Sequence, residues 1–249
     1  MKNKNTLLFI SILVVFVAVF IFSCTKDTLK TNTPIAPVVD SNFSFVEDFN
    51  DVSALPAKGW VFKNNSDPAG PSGWRQGRYE SGLKLGLDTV GFPAYNATRS
   101  PTDYISVDVA AVSLTGSLSA WLISPQVPVK NGDEITFYTR AMNDAGFFYP
   151  AVDRMQVLGN FTDGSADCGN TPFSVGKFTT TLTDINAVSN ENVLDGYPET
   201  WTQITITIAG LPAPVEKARF AFRYIEDLSG LNQGYSSLIG IDNLSFIHN

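Results

Sequence analysis

From Ile204 to Ile208 the chain alternates without exception, with isoleucine at every second position and threonine between. A period of two puts every apolar side chain on one face of an extended strand, so this segment belongs in a sheet with one face buried. Phe220, Phe222 and Tyr224 alternate in the same way with Ala221, Arg223 and Ile225. Short apolar segments bounded by Gly, Pro, Asn or Asp predict ten strands: 43–49, 59–62, 104–109, 118–123, 134–141, 154–158, 175–182, 201–208, 218–225 and 237–247. No amphipathic helical period runs beyond about two turns, and no repeat of about 20–50 residues recurs. Strands at this density without helices predict an all-β fold, a two-sheet antiparallel β-sandwich of jelly-roll type.

The composition agrees. Of 249 residues, 12% are aromatic and only 16% charged, and 19 Gly and 14 Pro supply turns for many short strands. The formal charge is −7 and no Lys/Arg-rich run occurs. A nucleic-acid surface needs clustered cations to displace condensed counterions, so DNA and RNA are excluded as partners.

The N-terminus reads Met1-Lys2-Asn3-Lys4-Asn5-Thr6, and Leu7 to Phe22 is apolar except for Ser11. A basic start followed by an apolar run shorter than the roughly twenty residues of a spanning helix predicts a signal peptide over 1–23, with a short transmembrane anchor as the alternative. Ile21-Phe22-Ser23-Cys24 resembles a bacterial lipobox. The resemblance implies that Cys24 becomes the acylated mature N-terminus, and several acyl chains give stable anchoring. The protein is thus expected to be exported and held at the outer membrane or cell surface, with the membrane as a partner. Cleavage would remove Lys2 and Lys4, leaving 17 − 2 = 15 cations against 24 anions, a formal −9. Residues 24–42, with Pro34 and Pro37 and no apolar period, read as the lipidated N-terminus and a tether, and 43–249 as one domain. Only Cys168 would remain as a thiol, so no disulfide staples the core. Its surroundings read as an exposed loop without a nearby cation to activate it.

Four motifs stand in order along this domain: Val46-Glu47-Asp48-Phe49, Leu55-Pro56-Ala57-Lys58-Gly59-Trp60, Trp121-Leu122-Ile123-Ser124-Pro125 and Ile239-Gly240-Ile241-Asp242-Asn243-Leu244. Together they resemble the choice-of-anchor J family, related to the cleaved-adhesin and MAM-like jelly rolls, over essentially 43–249. The resemblance implies an exported module that binds glycan or extracellular protein in an adhesin-like role.

Catalytic chemistry finds little to work with. The only histidine, His248, stands beside the C-terminus and reads as frayed, which argues against triads and histidine-based zinc sites. Glycoside hydrolysis needs only two carboxylates and stays open as the alternative, through Glu47, Glu134, Glu199 or Glu226. A purely structural subunit of a surface assembly is a third reading. In the first strand Glu47 shares a face with Phe45 and Phe49, and in the last strand Asp242 shares a face with Leu244 and Phe246. If those faces are inward, both carboxylates are buried and need partners. The resemblance implies a structural calcium ion on Glu47 and Asp242, with Asp48, Asn50 and Asp51 adding oxygens from the following turn. Backbone amides, or an arginine such as Arg75 or Arg78, are the alternative partners. Aromatic residues in turn-rich stretches, namely Trp74, Tyr79, Phe148, Tyr149, Tyr197 and Tyr235, are candidate sugar-stacking faces or covers for the sandwich ends.

Overall fold

In chain order the strands are β1 (Phe45–Glu47), β2 (Val61–Asn64), β3 (Asp67–Ala69), β4 (Arg75–Gln76), β5 (Ile105–Asp108), β6 (Val112–Ile123), β7 (Val127–Val129), β8 (Glu134–Ala141), β9 (Met155–Asn160), β10 (Thr180–Ile185), β11 (Thr202–Thr207), β12 (Val215–Asp227) and β13 (Leu238–Ile247). They come from a computed structural model that describes residues 43–79, 91–95, 97, 100–142, 152–190, 196–227 and 236–249. The signal segment, Cys24 and the tether, together with Phe148, Tyr149 and Tyr235, lie outside the described residues.

Each predicted segment holds a strand, but the one expected over 175–182 begins only at Thr180, because Val175 and Phe178 pack on the outer face of sheet two instead. The three strands outside those segments, β3, β4 and β7, are two or three residues long, too short to show a period. The first strand ends earlier than its apolar pattern, because Phe49 takes a left-handed φ of 51° and turns into the core. The Val52–Lys58 turn that follows is 3-10 helical and closes on Gly59 at φ 91°, a conformation that favours glycine.

Two antiparallel sheets result. Sheet one runs β11-β8-β13-β5-β4, with β1 also on β13; sheet two runs β10-β9-β12-β6-β2, with β3 on β6 and β7 on β12. The inward rows of both meet in one apolar core. Ile204 and Ile206 of β11 stand opposite Phe137 and Ile135 of β8, so the alternating isoleucines face inward as their period requires. Phe137 meets Phe222 edge-on across the layers at 5.0 Å between ring centroids. Trp60 sits edge-on to Phe45, Phe49 and Phe220.

The outer face of sheet two is covered by its own chain. Trp121, Ile123, Leu158 and Ala221 point outward from their strands and pack against Cys168 and Phe178 of the segment after β9. Cys168 is therefore buried rather than in an exposed loop, and burial pushes its thiol pKa up. A cation is sealed under the same cover. Arg223 is 3% exposed; it donates to Ser119 Oγ at 3.1 Å, to Gln156 Oε1 at 3.0 Å and to the Pro172 carbonyl, and lies 5.0 Å from the Trp121 ring centre. Burial draws its pKa down to about 10. Gln156 in turn donates to Asp184, which holds Arg154 through two hydrogen bonds of 2.9 and 2.6 Å.

The C-terminus is pinned, correcting the expectation that His248 frays. Its Nδ1 lies 2.8 Å from Asp133 Oδ2, its amide donates to Ser44 Oγ, and the amide of Asn249 donates to Asp133 Oδ1. Asp133 is fully buried and also accepts from the Lys130 amide. Removing the imidazole withdraws one of three donors from a buried carboxylate. His248→Ala is accordingly expected to cost about 2 kcal/mol in urea unfolding, with the slope unchanged.

Candidate functional site

Among the described residues the outer face of sheet one is only partly covered, and the chain explains where that cover stops. β13 carries a bulge between Asp242 and Ser245, where Asn243 takes a left-handed φ of 48°. The extra residue breaks the alternation. Leu244 and Phe246 face the core, as do Ile239 and Ile241, whereas Asp242 turns outward beside Gly240. The expectation that Asp242 shares a face with Leu244 and Phe246 is thus corrected by one bulged residue.

Above Gly240 lies a second small apolar cluster of Phe92, Ala94, Tyr104 and Leu238, with Met142 and Trp201 against it. Gly240 is needed there, since a Cβ would stand 2.9 Å from both the Phe92 and Tyr104 rings. Phe92 stacks on Tyr104 at 5.1 Å, Trp201 meets both edge-on and donates to the Pro93 carbonyl at 2.8 Å, and the Arg140 guanidinium lies 4.4 Å from the Phe92 ring centre. Burial raises the Tyr104 phenol to about 12; its hydroxyl donates to the Arg78 carbonyl and accepts from the Arg78 amide.

Beyond this cover, two tyrosines come to the surface together. The Tyr95 amide donates to Asp242 Oδ2 at 2.8 Å, which fixes the end of the covering segment, and the Tyr95 ring stacks on Tyr138 of β8 with centroids 3.6 Å apart and planes 18° from parallel. Tyr95 is 36% exposed and Tyr138 half-buried. The neighbouring Tyr95 side chain is the main cause of a raised Tyr138 pKa. Tyr138 stands opposite Gln203 of β11, whose outward row Gln203, Thr205 and Thr207 is exposed, and Thr205 Oγ1 lies 3.2 Å from Thr136 Oγ1. The result is a rigid aromatic surface edged by an amide and hydroxyls.

Sequence reasoning missed this pair. The signal was present in Ile135-Thr136-Phe137-Tyr138-Thr139-Arg140, where consecutive aromatics on a strand must face opposite sides and one of them must point outward. Of the aromatics singled out from the sequence, the three that are described, Trp74, Tyr79 and Tyr197, lie elsewhere. Trp74 is in the main core, donating to the Ala120 carbonyl, and Tyr197 is 5% exposed with its hydroxyl 2.6 Å from Thr139 Oγ1. Burial raises the Tyr197 pKa strongly. Neither offers a face to a ligand. Tyr79 is half-buried and bridges Gly91. Because its hydroxyl makes a buried hydrogen bond, Tyr197→Phe is expected to lower stability by about 1 kcal/mol in denaturant titration.

The proposed calcium ligands do not converge. Glu47 is buried, as expected, but its oxygens accept from the Phe49 amide at 3.1 Å and from Lys58 Nζ at 2.8 Å, so the cation beside it is Lys58 rather than Arg75 or Arg78. Arg75 pairs instead with Asp108. Asp242 accepts from the Tyr95 and Asn243 amides on the opposite face of the sheet. Asp48, Asn50 and Asp51 are exposed; the Ser53 hydroxyl holds the Asp51 carboxyl below its usual pKa. Calcium takes about six to eight oxygens in one shell, which this arrangement does not fit. Among the described residues no three His, Cys, Asp or Glu side chains are grouped to hold a metal ion.

No family model and no curated protein matches the chain. Solved structures similar to it include the K1 cleaved adhesin domain of Lys-gingipain from Porphyromonas gingivalis (17% identity, 83% of this chain and 98% of that one, TM-score 0.45) and the K3 domain of the same protein (16%, 82% and 98%, TM-score 0.47). A family 11 carbohydrate-binding module from Clostridium thermocellum, solved with a mixed-linked tetrasaccharide, is 11% identical over 82% of this chain and 95% of its own, at a TM-score of 0.35.

Proposed function

We propose that the chain is an exported, lipid-anchored recognition module that binds an extracellular carbohydrate or protein in an adhesin-like role and carries out no catalysis. The observation that carries this reading is the unequal cover of the two sheets. Over its centre sheet two is covered by Cys168, Phe178 and the buried Arg223, whereas among the described residues sheet one is covered above Gly240 and exposed along β11, beside which Tyr95 and Tyr138 are stacked. A rigid exposed aromatic pair carries little rotamer entropy to lose on binding, which is what a recognition surface requires. The carboxylate Glu47, a candidate for acid–base work, is instead tied to Lys58.

The test is a glycan-array screen of the full-length chain, with calcium and with a chelator, alongside an assay for new reducing ends. The reading expects bound glycans, no hydrolysis and no chelator effect through Glu47 or Asp242. Release of reducing ends would overturn it in favour of a glycosidase. An empty array from folded protein would leave only its protein-binding form.

A further inference from the structure

We infer that the Tyr95–Tyr138 stack and the adjoining row of β11 form a subsite for one pyranose ring of a neutral glycan. This inference rests on the recognition reading above and names its ligand class.

Three observations combine. The first is the aromatic pair: Tyr95 stacks face to face on Tyr138 on the outside of the sheet and, at 36% exposed, brings aromatic surface to solvent. Such a surface matches the C–H face of a sugar ring, which is apolar where its hydroxyls are equatorial. Position of the polar groups is the second. Gln203 stands directly opposite Tyr138, with Thr205 next along the same outward row and Thr136 bridged to it at 3.2 Å. Neighbouring strands lie about 4.8 Å apart, so an amide and two hydroxyls stand within roughly one ring width of the aromatic face. An amide that both donates and accepts suits a vicinal diol, whose hydroxyls do the same.

Charge is the third. Among the described residues, Asp242 beside the platform is committed to the Tyr95 and Asn243 amides and Arg140 to the Phe92 ring and the Ala141 carbonyl, while Glu134, opposite Thr207, adds a carboxylate at the end of the row. The exposed row itself, Gln203, Thr205 and Thr207, is uncharged in a chain of formal charge −7. Among the described residues this row offers no cation to a uronate or sulfate, and the chain's negative field disfavours one. The chemistry selects a neutral sugar.

The experiment is affinity gel electrophoresis of the full-length chain through gels containing soluble β-glucan, galactan, mannan, xylan or polygalacturonate. Wild type is compared with Tyr138→Ala, Tyr95→Ala and Gln203→Ala, each checked for an unchanged melting temperature. The expected result is retardation by at least one neutral polysaccharide, weakened about tenfold by either tyrosine change and less by Gln203→Ala. Equal retardation of wild type and both tyrosine variants overturns the subsite and leaves the recognition reading standing. Retardation by polygalacturonate alone overturns the neutral class in the same way. If no polysaccharide retards folded protein, the subsite is overturned and recognition survives only with a protein ligand. Should the tyrosine variants fail to fold, Tyr138→Phe and Gln203→Arg carry the test: the first is expected to keep retardation and the second to weaken it.

Discussion

Replacing Arg223 with alanine is expected to destabilise the domain by about 2–4 kcal/mol, from buried acceptors left without a donor and from the cavity the side chain leaves. The reason lies in what the guanidinium holds together. It reaches from β12 to Ser119 on β6, to Gln156 on β9 and to the Pro172 carbonyl of the covering segment, while its flat face lies on Trp121. Alanine removes all four contacts and opens a cavity above Trp121, and Lys cannot reproduce the planar fork, so Arg223→Lys is expected to recover only part of the loss. Urea denaturation followed by tryptophan fluorescence checks both. A loss below about 1 kcal/mol for Arg223→Ala would mean that the cover over sheet two is held by Phe178 and Cys168 alone.

Replacing Cys24 with alanine is expected to move the protein quantitatively from the membrane to the aqueous phase. The thiol is the only attachment point for the diacylglyceryl group implied by Ile21-Phe22-Ser23-Cys24, and without it neither the thioether nor the new acylated N-terminus can form. Each buried methylene contributes about 0.8 kcal/mol, so losing two or three chains removes far more anchoring than the polar domain surface could replace. Detergent phase partitioning and intact-mass spectrometry of wild type and Cys24→Ala check this. Equal partitioning of the two would favour the Leu7–Phe22 segment as an uncleaved anchor.

Those parts of the fold written in a period of two were legible in the sequence. The isoleucines of β11 and the phenylalanines of β12 state which face is buried, and a single-residue slip would invert them. What was not legible depends on one residue out of period or on partners distant along the chain. Asn243 shifts Asp242 to the other face, and nothing in Asp242-Asn243-Leu244 distinguishes a bulge from regular alternation. The burial of Cys168 depends on Trp121, some 47 positions away, turning outward under a long connection. His248 looked free because termini usually are, yet Asp133 holds it. The candidate site is hidden in the sequence for a related reason: its aromatics do not stand in turn-rich stretches, and the exposed pair joins a strand residue to one at the end of a covering segment.

The proposed recognition surface is the part of sheet one over β8 and β11, not the covered outer face of sheet two. The most direct test is the glycan array read for three proteins in parallel: wild type, Tyr138→Ala, and Phe173→Ala, the last removing a side chain 64% exposed on the segment that covers sheet two. The expected result is loss of the wild-type signal with Tyr138→Ala and its retention with Phe173→Ala. Loss with Phe173→Ala and retention with Tyr138→Ala would contradict it and move recognition to the opposite face of the sandwich.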